Sequence, residues 1–435
     1  MHDEDMRPRA ARALERIEEL LEALPSKKAK EARAQLKQVR EMLLEQRPPR
    51  LALVGRRGAG KSSLVNALFG EPIATVGHEK SQTGTPRWFG YESDRGRLEL
   101  LDTRGFQEAH LPTEVDTAAT PLDSVLLELE ARCPDAVLFL VKASEAGAAM
   151  KEDLALLETL STRLKTTHGT RVPIVAVITQ CDLLEPKSVR LHAREDEHPT
   201  DYEEKIARVR RIERMVGDQL RGVSALKDAF VTSIGTSAYQ SWRSDGTLRA
   251  DERWNIDALV SYLYDKLPSE ARLELVRIAR VRSLQRKLAR TVSSIVASAC
   301  AAIAATPIPV GDIVPITSMQ VALVASIGYI GGRSMSTRTA GEFLAAAGVN
   351  LGAGFAMREA ARAVVKLLPI AGNLVSAAVA FAATMAIGEA AAVYFIDGLP
   401  FERAREYLPA PDKPLELPAS TEPPLLNPGQ DEADN

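Results

Sequence analysis

The sequence predicts an α/β domain between two helical regions. From residue 50 to 268, short apolar runs alternate with longer amphipathic segments, which is typical of a mostly parallel sheet with helices on both faces. Residues 1–49 are charged with apolar positions at helical spacing, and residues 291–400 contain long alanine-rich runs without charge. A chain of 435 residues also exceeds the usual size of one hydrophobic core, so several domains are expected.

Charge and cysteine content limit the class of protein. The formal charge is −3, from 55 basic and 58 acidic residues, so no overall field would hold a polyanion, and nucleic acid is not expected as the main partner. Cys133, Cys181 and Cys300 fit no zinc spacing and are expected to be free thiols in a reducing compartment. The first residues lack the pattern of a signal peptide, and a cytoplasmic location is expected.

The N-terminal region, residues 1–49, is predicted to form a helical hairpin. Two short apolar stripes flank Pro25, and Pro48-Pro49 follows the second stripe. Each stripe is too short for a coiled coil, which favours packing on a neighbouring domain.

Five apolar runs predict the strands of the central region, residues 50–268. They read LALVG, RLELLD, AVLFLV, PIVAVIT and AFVTSI. A charged insertion, REDEHPTDYEEKIARVRRIERMVGDQL, separates the last two runs and is expected to form a solvated helix.

The stretch GRRGAGKSS follows the first predicted strand and precedes a predicted helix. Its Gly55, Gly60, Lys61 and Ser62 complete the phosphate-binding pattern G-x-x-x-x-G-K-S in the structural context that the pattern requires. The loop backbone is expected to surround phosphates, with Lys61 reaching the β and γ phosphates and the Ser62 hydroxyl binding Mg²⁺. The predicted nucleotide contacts in this loop are Gly55, Arg56, Gly58, Ala59, Gly60, Lys61, Ser62 and Ser63.

Two later motifs complete the predicted site. In LELLDTRGF, Asp102 ends an apolar run where its carboxylate can join the metal shell, and Gly105 leaves a backbone N–H for the γ phosphate. In VPIVAVITQCDLLEP, Thr179, Gln180 and Asp182 lie at the carboxyl end of a buried run, where ligands collect in open α/β sheets. A carboxylate there can accept hydrogen bonds from N1 and N2 of guanine, whereas adenine would leave it unpaired, so guanine is favoured.

These motifs give the central region a resemblance to a known family. GRRGAGKSSLVNALFG, DTRG and TQCD stand in the order of Era-like and dynamin-like P-loop GTPases, and VTSIGTSA lies where their last guanine-contacting loop is found. The resemblance implies a GTPase that uses GTP, GDP and Mg²⁺ and reads guanine with Asp182. It also implies backbone contacts to the base from Ser233 and Ile234, or else from Ser237 and Ala238.

Several positions depart from the family pattern or leave alternatives open. The lysine of the family's N/T-K-x-D motif is replaced by Gln180, which brings no charge and predicts modest affinity for GTP. The switch threonine, implied as a catalytic residue and metal ligand, is Thr83 or Thr85, of which Thr85 is favoured.

The sequence offers several candidates for the residue that would orient the attacking water. The position after D-x-x-G, often polar in GTPases, is Phe106. The candidate replacements are Gln107, Arg104, Arg56 and Arg57. Arg57 is preferred, because dynamin-like members place a catalytic polar side chain there, and hydrolysis is expected to be slow without a partner or lipid.

The C-terminal part is predicted as a basic connecting helix at residues 269–290, a hydrophobic helical domain at 291–400 and a disordered tail at 401–435. The segment AATPIPVGDIVPITSMQVALVASIGYIGG resembles the hydrophobic C-terminal domain of YcjF-type proteins. Only Asn373–Ile396 is long enough to span a bilayer, and it contains Glu389, which would need a partner there.

Two functions for this domain follow from the sequence. The favoured one is association with a membrane surface, because the basic helix would be attracted to an anionic leaflet. The alternative is a soluble regulatory GTPase that acts on protein partners through a helical bundle, and a homo-oligomer is left open. An ATP-using enzyme is disfavoured by TQCD.

Overall fold

The computed structural model describes part of the chain. The described ranges are 46–73, 87–93, 95–102, 121–147, 150–193, 199–304, 313–333, 340, 343–344 and 372–408, with the isolated positions Glu15, Glu19, Glu22 and Lys37. Those four positions are helical and exposed, and the rest of the predicted N-terminal hairpin lies outside the described residues.

The central region contains a six-stranded sheet of order β2-β3-β1-β4-β5-β6. Strands β1, β3, β4, β5 and β6 are mutually parallel, and β2 pairs antiparallel with β3 at the edge. The strands are β1 (Arg50–Gly55), β2 (Arg87–Ser93), β3 (Gly96–Asp102), β4 (Ala136–Lys142), β5 (Ile174–Thr179) and β6 (Phe230–Gly235), and a separate hairpin is formed by β7 (Gln240–Trp242) and β8 (Leu248–Asp251). The predicted mostly parallel sheet is therefore confirmed, with one antiparallel edge strand and one hairpin that were not predicted.

Helices cover both faces of this sheet. In the central region they are α1 (Lys61–Phe69), α2 (Pro121–Ala131), α3 (Met150–His168), α4 (Pro199–Gly222) and α5 (Ile256–Lys266). They continue as α6 (Ser269–Ala279), α7 (Arg282–Ala304), α8 (Ile313–Ile330), α9 (Gly372–Phe395) and α10 (Phe401–Arg405). Every residue of β5 is buried, as expected of a strand covered by helices on both sides.

The hydrophobic core on one face of the sheet extends into the C-terminal helices. Leu100 of β3, Leu273 of α6, Leu288 of α7 and Leu323 of α8 belong to one continuous cluster of buried side chains. The helical region is therefore packed directly on the α/β domain.

The predicted single connecting helix at 269–290 is wrong, because the chain forms two helices there. Arg280 has a left-handed backbone, with φ of 50°, and its N–H donates to the carbonyl of Val276, which closes α6. Helix α7 then runs through residue 290, so the predicted domain boundary falls inside a helix. Apolar residues along this segment are buried: Leu273, Val276, Val281, Leu284 and Leu288.

The predicted disordered tail begins too early. Helix α10 follows residue 400, its Ala404 is fully buried, and the ring of Phe401 lies edge-on to Phe343 at 5.5 Å. These apolar contacts hold residues 401–408 against the helical domain, and residues 409–435 lie outside the described part.

Charged side chains of α7 are paired within the protein. Arg286 bonds to Glu389 and, at 3.1 Å, to Asp397, and Arg290 lies 3.6 Å from Glu389. Lys287 lies 3.1 Å from Asp265. Glu389 thus has the basic partners that the sequence indicated it would need.

Two described helices have the length and apolar composition that a membrane span requires, one more than the sequence predicted. They cover Arg282–Ala304 and Ala377–Phe395. Of the most apolar stretch of each helix, 56% and 50% of the residues, respectively, are buried inside the protein. Core helices of soluble proteins meet the same criteria, so this observation is compatible with both functions proposed for the domain.

Candidate nucleotide-binding site

The predicted phosphate loop joins β1 to α1 with the backbone of a tight cradle. Gly58 and Gly60 have φ of 73° and 86°, a backbone conformation that residues other than glycine rarely adopt. A Cβ on Gly55 would lie 2.6 Å from the carbonyl oxygen of Leu140, so the end of β1 passes too close to β4 for any other residue. Glycine is therefore required where the pattern G-x-x-x-x-G-K-S has it.

Lys61 and Ser62 open helix α1 directly after this loop. The Lys61 ammonium donates to the carbonyls of Gly55, at 2.7 Å, and Arg56, at 3.1 Å, so it lies across the mouth of the loop. Ser62 is half-buried in the first turn. An ammonium and a hydroxyl at the N-terminus of a helix suit a phosphate with Mg²⁺.

The two arginines of the loop have different surroundings. The Arg56 guanidinium pairs with Asp153 of α3 at 3.0 Å. Arg57 is exposed. Of the two, Arg57 has the more exposed side chain.

The predicted base-reading residues contact the phosphate loop. The Thr179 hydroxyl at the end of β5 donates to the Ala59 carbonyl at 2.9 Å, and the Gln180 amide donates to the Gly58 carbonyl at 3.0 Å. Gln180 has a left-handed backbone, with φ of 60°, which turns its side chain back across the loop. These bonds bring TQCD and the phosphate loop together, as the sequence predicts for one nucleotide site.

Asp182 lies in a short 3₁₀ turn, Cys181–Leu183, just after β5. Its side chain is half-buried. The neighbouring Cys181 is fully buried, which raises the pKa of its thiol to about 12, and its backbone N–H donates to the Thr236 carbonyl at 3.2 Å. The turn is therefore anchored through Cys181 while the Asp182 side chain remains partly exposed.

One charged residue near this turn was missed by the sequence analysis. Lys205 of α4, expected on a solvated helix, is fully buried, and its ammonium donates to the carbonyls of Asp182, Pro186 and Val189. The signal was its spacing, because Lys205 stands four residues before Val209 and eleven before Val216, on the buried face of α4.

The first alternative for the last guanine-contacting loop does not fit its position. Ser233 and Ile234 lie inside β6, paired with Ala176 and Val177 of β5, rather than at the end of the strand. The strand ends at Gly235, so Ser237 and Ala238 occupy the loop at the carboxyl edge of the sheet, which favours the second alternative. Ser237 is held there by mutual backbone hydrogen bonds with Trp254.

Part of the predicted metal and catalytic set is outside the described residues. Asp102 ends β3, where its backbone is in register with Leu53 of β1, next to the phosphate loop. Thr83, Thr85, Arg104, Gly105, Phe106 and Gln107 lie outside the described part. Within the described part, no cluster of three or more His, Cys, Asp or Glu side chains could hold a metal, and the predicted Mg²⁺ site, which combines the single carboxylate of Asp102 with hydroxyls and phosphates, does not require one.

Comparison with known proteins assigns the central region. Residues 50–180 match the family model described as 50S ribosome-binding GTPase. GTPase Era from Chromobacterium violaceum is 30% identical over 154 residues, which is 35% of this chain and 46% of that protein. GTPase Era from Lactobacillus delbrueckii subsp. bulgaricus is 29% identical over 140 residues, 32% of this chain and 41% of that protein.

The chain spans less than half the length of these curated relatives, so the match concerns one domain. A crystal structure of Era with MgGDPNP and a 16S ribosomal RNA fragment is 18% identical, covers 55% of this chain and 67% of that chain, and has a TM-score of 0.31. That likeness is too low to extend the partners of that complex to this chain. The predicted P-loop GTPase domain of the Era type is confirmed by the family match.

Proposed function

We propose, from the P-loop GTPase domain of the Era type that the chain contains, that the whole protein is a Mg²⁺-dependent GTP-binding and GTP-hydrolysing switch whose nucleotide state alters its helical domain. The hydrogen bonds from Thr179 and Gln180 to the phosphate loop are the main support for the nucleotide-binding part of this proposal. They hold the base-reading turn and the phosphate cradle in one fixed arrangement. A guanine nucleotide would then be bound at both ends by a preformed site.

The residues of the site fit a nucleotide with Mg²⁺. Lys61 would bind the β and γ phosphates, and Ser62, Asp102 and Thr85 would hold the metal directly or through water. Bound Mg²⁺ supplies charge neutralisation at the transferred phosphoryl group. The helix dipole of α1 and the loop N–H groups would add positive potential at the same place.

Hydrolysis is proposed to depend on Arg57, with Gln107 as the second candidate. We expect Arg57→Ala to slow single-turnover hydrolysis by at least about tenfold, since an arginine at the γ phosphate is worth about 10³ to 10⁵ in rate where it acts fully. Nucleotide affinity should change little, because Arg57 is exposed and Arg56 retains its pair with Asp153.

The measurement is rapid-quench hydrolysis, with Arg208→Ala on the exposed side of α4 as control. An unchanged rate in Arg57→Ala, with and without lipid, would move the role to Gln107 or to a group from another molecule.

Coupling to the helical domain is supported by a buried polar cluster around Glu274. The Glu274 carboxylate, 3% exposed, accepts bonds from the backbone N–H of Arg97, at 3.0 Å, from Arg277 and from the hydroxyl of Tyr329, each at 3.2 Å. Arg97 belongs to the β2–β3 hairpin, Glu274 and Arg277 to α6, and Tyr329 to α8. A Cβ on Gly96, where φ is 145°, would lie 2.6 Å from the same carboxylate.

The β2–β3 hairpin also leads to the nucleotide. Arg87 and Asp102 are backbone partners at the opposite end of the hairpin. Arg87 comes just after the expected switch threonine, and Asp102 comes just before Gly105. Both expected switch segments continue from one end of this hairpin, and Glu274 is hydrogen-bonded to the other end. A shift of the hairpin would therefore be transmitted to α6 and α8. Such a packed hydrogen-bonded contact can favour one of two discrete arrangements.

Tyr329→Phe tests this coupling with little loss of packing. The ring stays under the Arg277 guanidinium, whose central carbon lies 3.6 Å from the ring centroid, and only the hydroxyl is lost. We expect the ratio of affinities for a GTP analogue and GDP to change by about fivefold or more, since typical coupling free energies are about 1 to 3 kcal/mol. The ratio should be unchanged in Tyr394→Phe, whose ring packs on Phe343 and Phe401.

Calorimetric titration of both nucleotides gives these ratios. A Tyr329→Phe protein that loses stability and keeps the wild-type ratio would mean that the cluster is structural only.

Membrane association of the helical domain is a second proposal. The two long apolar helices, α7 and α9, have the length and apolar composition that it would require. The pairing of Arg277, Arg286 and Lys287 with acidic residues weakens the attraction expected from the basic segment. Flotation of the full chain with anionic vesicles tests it, and a protein that stays at the bottom with and without nucleotide would leave the soluble alternative, action on protein partners. The likeness of residues 292–397 to the YcjF-type domain stays a prediction.

A further inference from the structure

The buried ammonium of Lys205 supports the turn that carries Asp182. Its Nζ donates to the carbonyl oxygens of Asp182 at 2.7 Å, Val189 at 2.8 Å and Pro186 at 3.2 Å. A lysine ammonium has three N–H donors, and three acceptors surround this one. All three belong to the segment that leaves the end of β5.

Burial of this charge would be costly without those bonds. Lys205 is 0% exposed, and a buried ammonium strongly destabilises a fold unless it is hydrogen-bonded or paired. Burial lowers the pKa of Lys205, and the negative charge of Asp182 opposes that shift. The contacts therefore constrain the segment from residue 182 to 189 strongly, because movement of any of the three carbonyls would leave the buried ammonium with an unsatisfied N–H.

Lys205 also lies next to a base-reading motif that lacks the lysine of the family pattern. Gln180, where the family has lysine, bonds to Gly58 and supplies no charge. We propose that Lys205 is a positioning residue for guanine recognition, which fixes the Asp182 carboxylate from behind through the backbone of its turn. This inference rests on the proposed reading of guanine by Asp182.

The test compares GDP with IDP, whose base lacks the 2-amino group and can give Asp182 only one of the two hydrogen bonds. Wild-type protein is expected to bind GDP about tenfold or more tightly than IDP. In Lys205→Met the ratio should fall below about threefold, because a misplaced carboxylate gains little from the second donor. A ratio of two affinities is insensitive to partial unfolding, which reduces both affinities equally.

Val216→Ala is the matched control, since Val216 is fully buried on the same face of α4, about three turns away. It should lose stability and keep the wild-type ratio. If Lys205→Met fails to fold, Lys205→Gln, which retains two N–H donors, should give an intermediate ratio.

A folded Lys205→Met or Lys205→Gln protein with the wild-type GDP to IDP ratio would overturn the inference. A wild-type protein that binds ADP as tightly as GDP would give a different result: it would overturn the proposed guanine recognition itself, and this inference with it.

Discussion

Lys61→Ala is expected to abolish measurable triphosphate binding while the protein stays folded. The Lys61 ammonium lies across the mouth of the phosphate loop and donates to the carbonyls of Gly55 and Arg56. From this position it can donate to phosphate oxygens instead. Charge-assisted bonds of this kind are about twice as strong as neutral ones, so their loss should weaken GTP by at least about a hundredfold. Calorimetry with a GTP analogue and Mg²⁺ measures this effect.

The control for this prediction is Lys165→Ala, the same change of charge on the exposed last turn of α3. It should bind the analogue as the wild type does. Retained affinity in a folded Lys61→Ala protein would contradict the assignment of the phosphate loop.

Asp182→Asn is expected to exchange guanine for xanthine as the preferred base. The carboxylate can accept both N1–H and N2–H of guanine, whereas an amide nitrogen can donate to the 2-oxygen of xanthine. Two hydrogen bonds to a charged group, at about 1.5 kcal/mol or more each, correspond to a loss of roughly a hundredfold for GTP. The Lys205 bond to the Asp182 backbone carbonyl would persist, so the turn should keep its position.

Competition assays with GTP, XTP and ATP give the result. Asp218→Asn, a change at an exposed carboxylate of α4, should leave the base preference unchanged. An Asp182→Asn protein with undiminished preference for GTP would contradict the role of Asp182.

The sequence was most informative where backbone chemistry restricts the choice of residue. Gly58 and Gly60 have positive φ, and Gly55 passes within 2.6 Å of Leu140, so the glycine pattern could be read directly as a loop geometry. The buried strands were equally readable, because parallel strands covered on both faces form continuous apolar runs. The motif TQCD was placed correctly at the end of β5 for the same reason.

Features that depend on tertiary contacts were not predictable. Strand β2, RWFGYES, has no continuous apolar run and forms a strand because it pairs with β3 at the sheet edge. The left-handed Arg280 breaks a segment whose periodicity indicated one helix. Lys205 shows how a charged residue on a buried face can be drawn inward by three carbonyls that are distant from it in sequence.

In the proposed function, the nucleotide state of the α/β domain reaches the helical domain through the Glu274 cluster. Hydrogen exchange of the full chain, with GDP or with Mg²⁺ and a GTP analogue, tests it directly. We expect exchange to differ between the two states at the phosphate loop and also in α6 and α8, where Glu274 and Tyr329 lie. Differences confined to the nucleotide site, with identical exchange in α6 and α8, would contradict it.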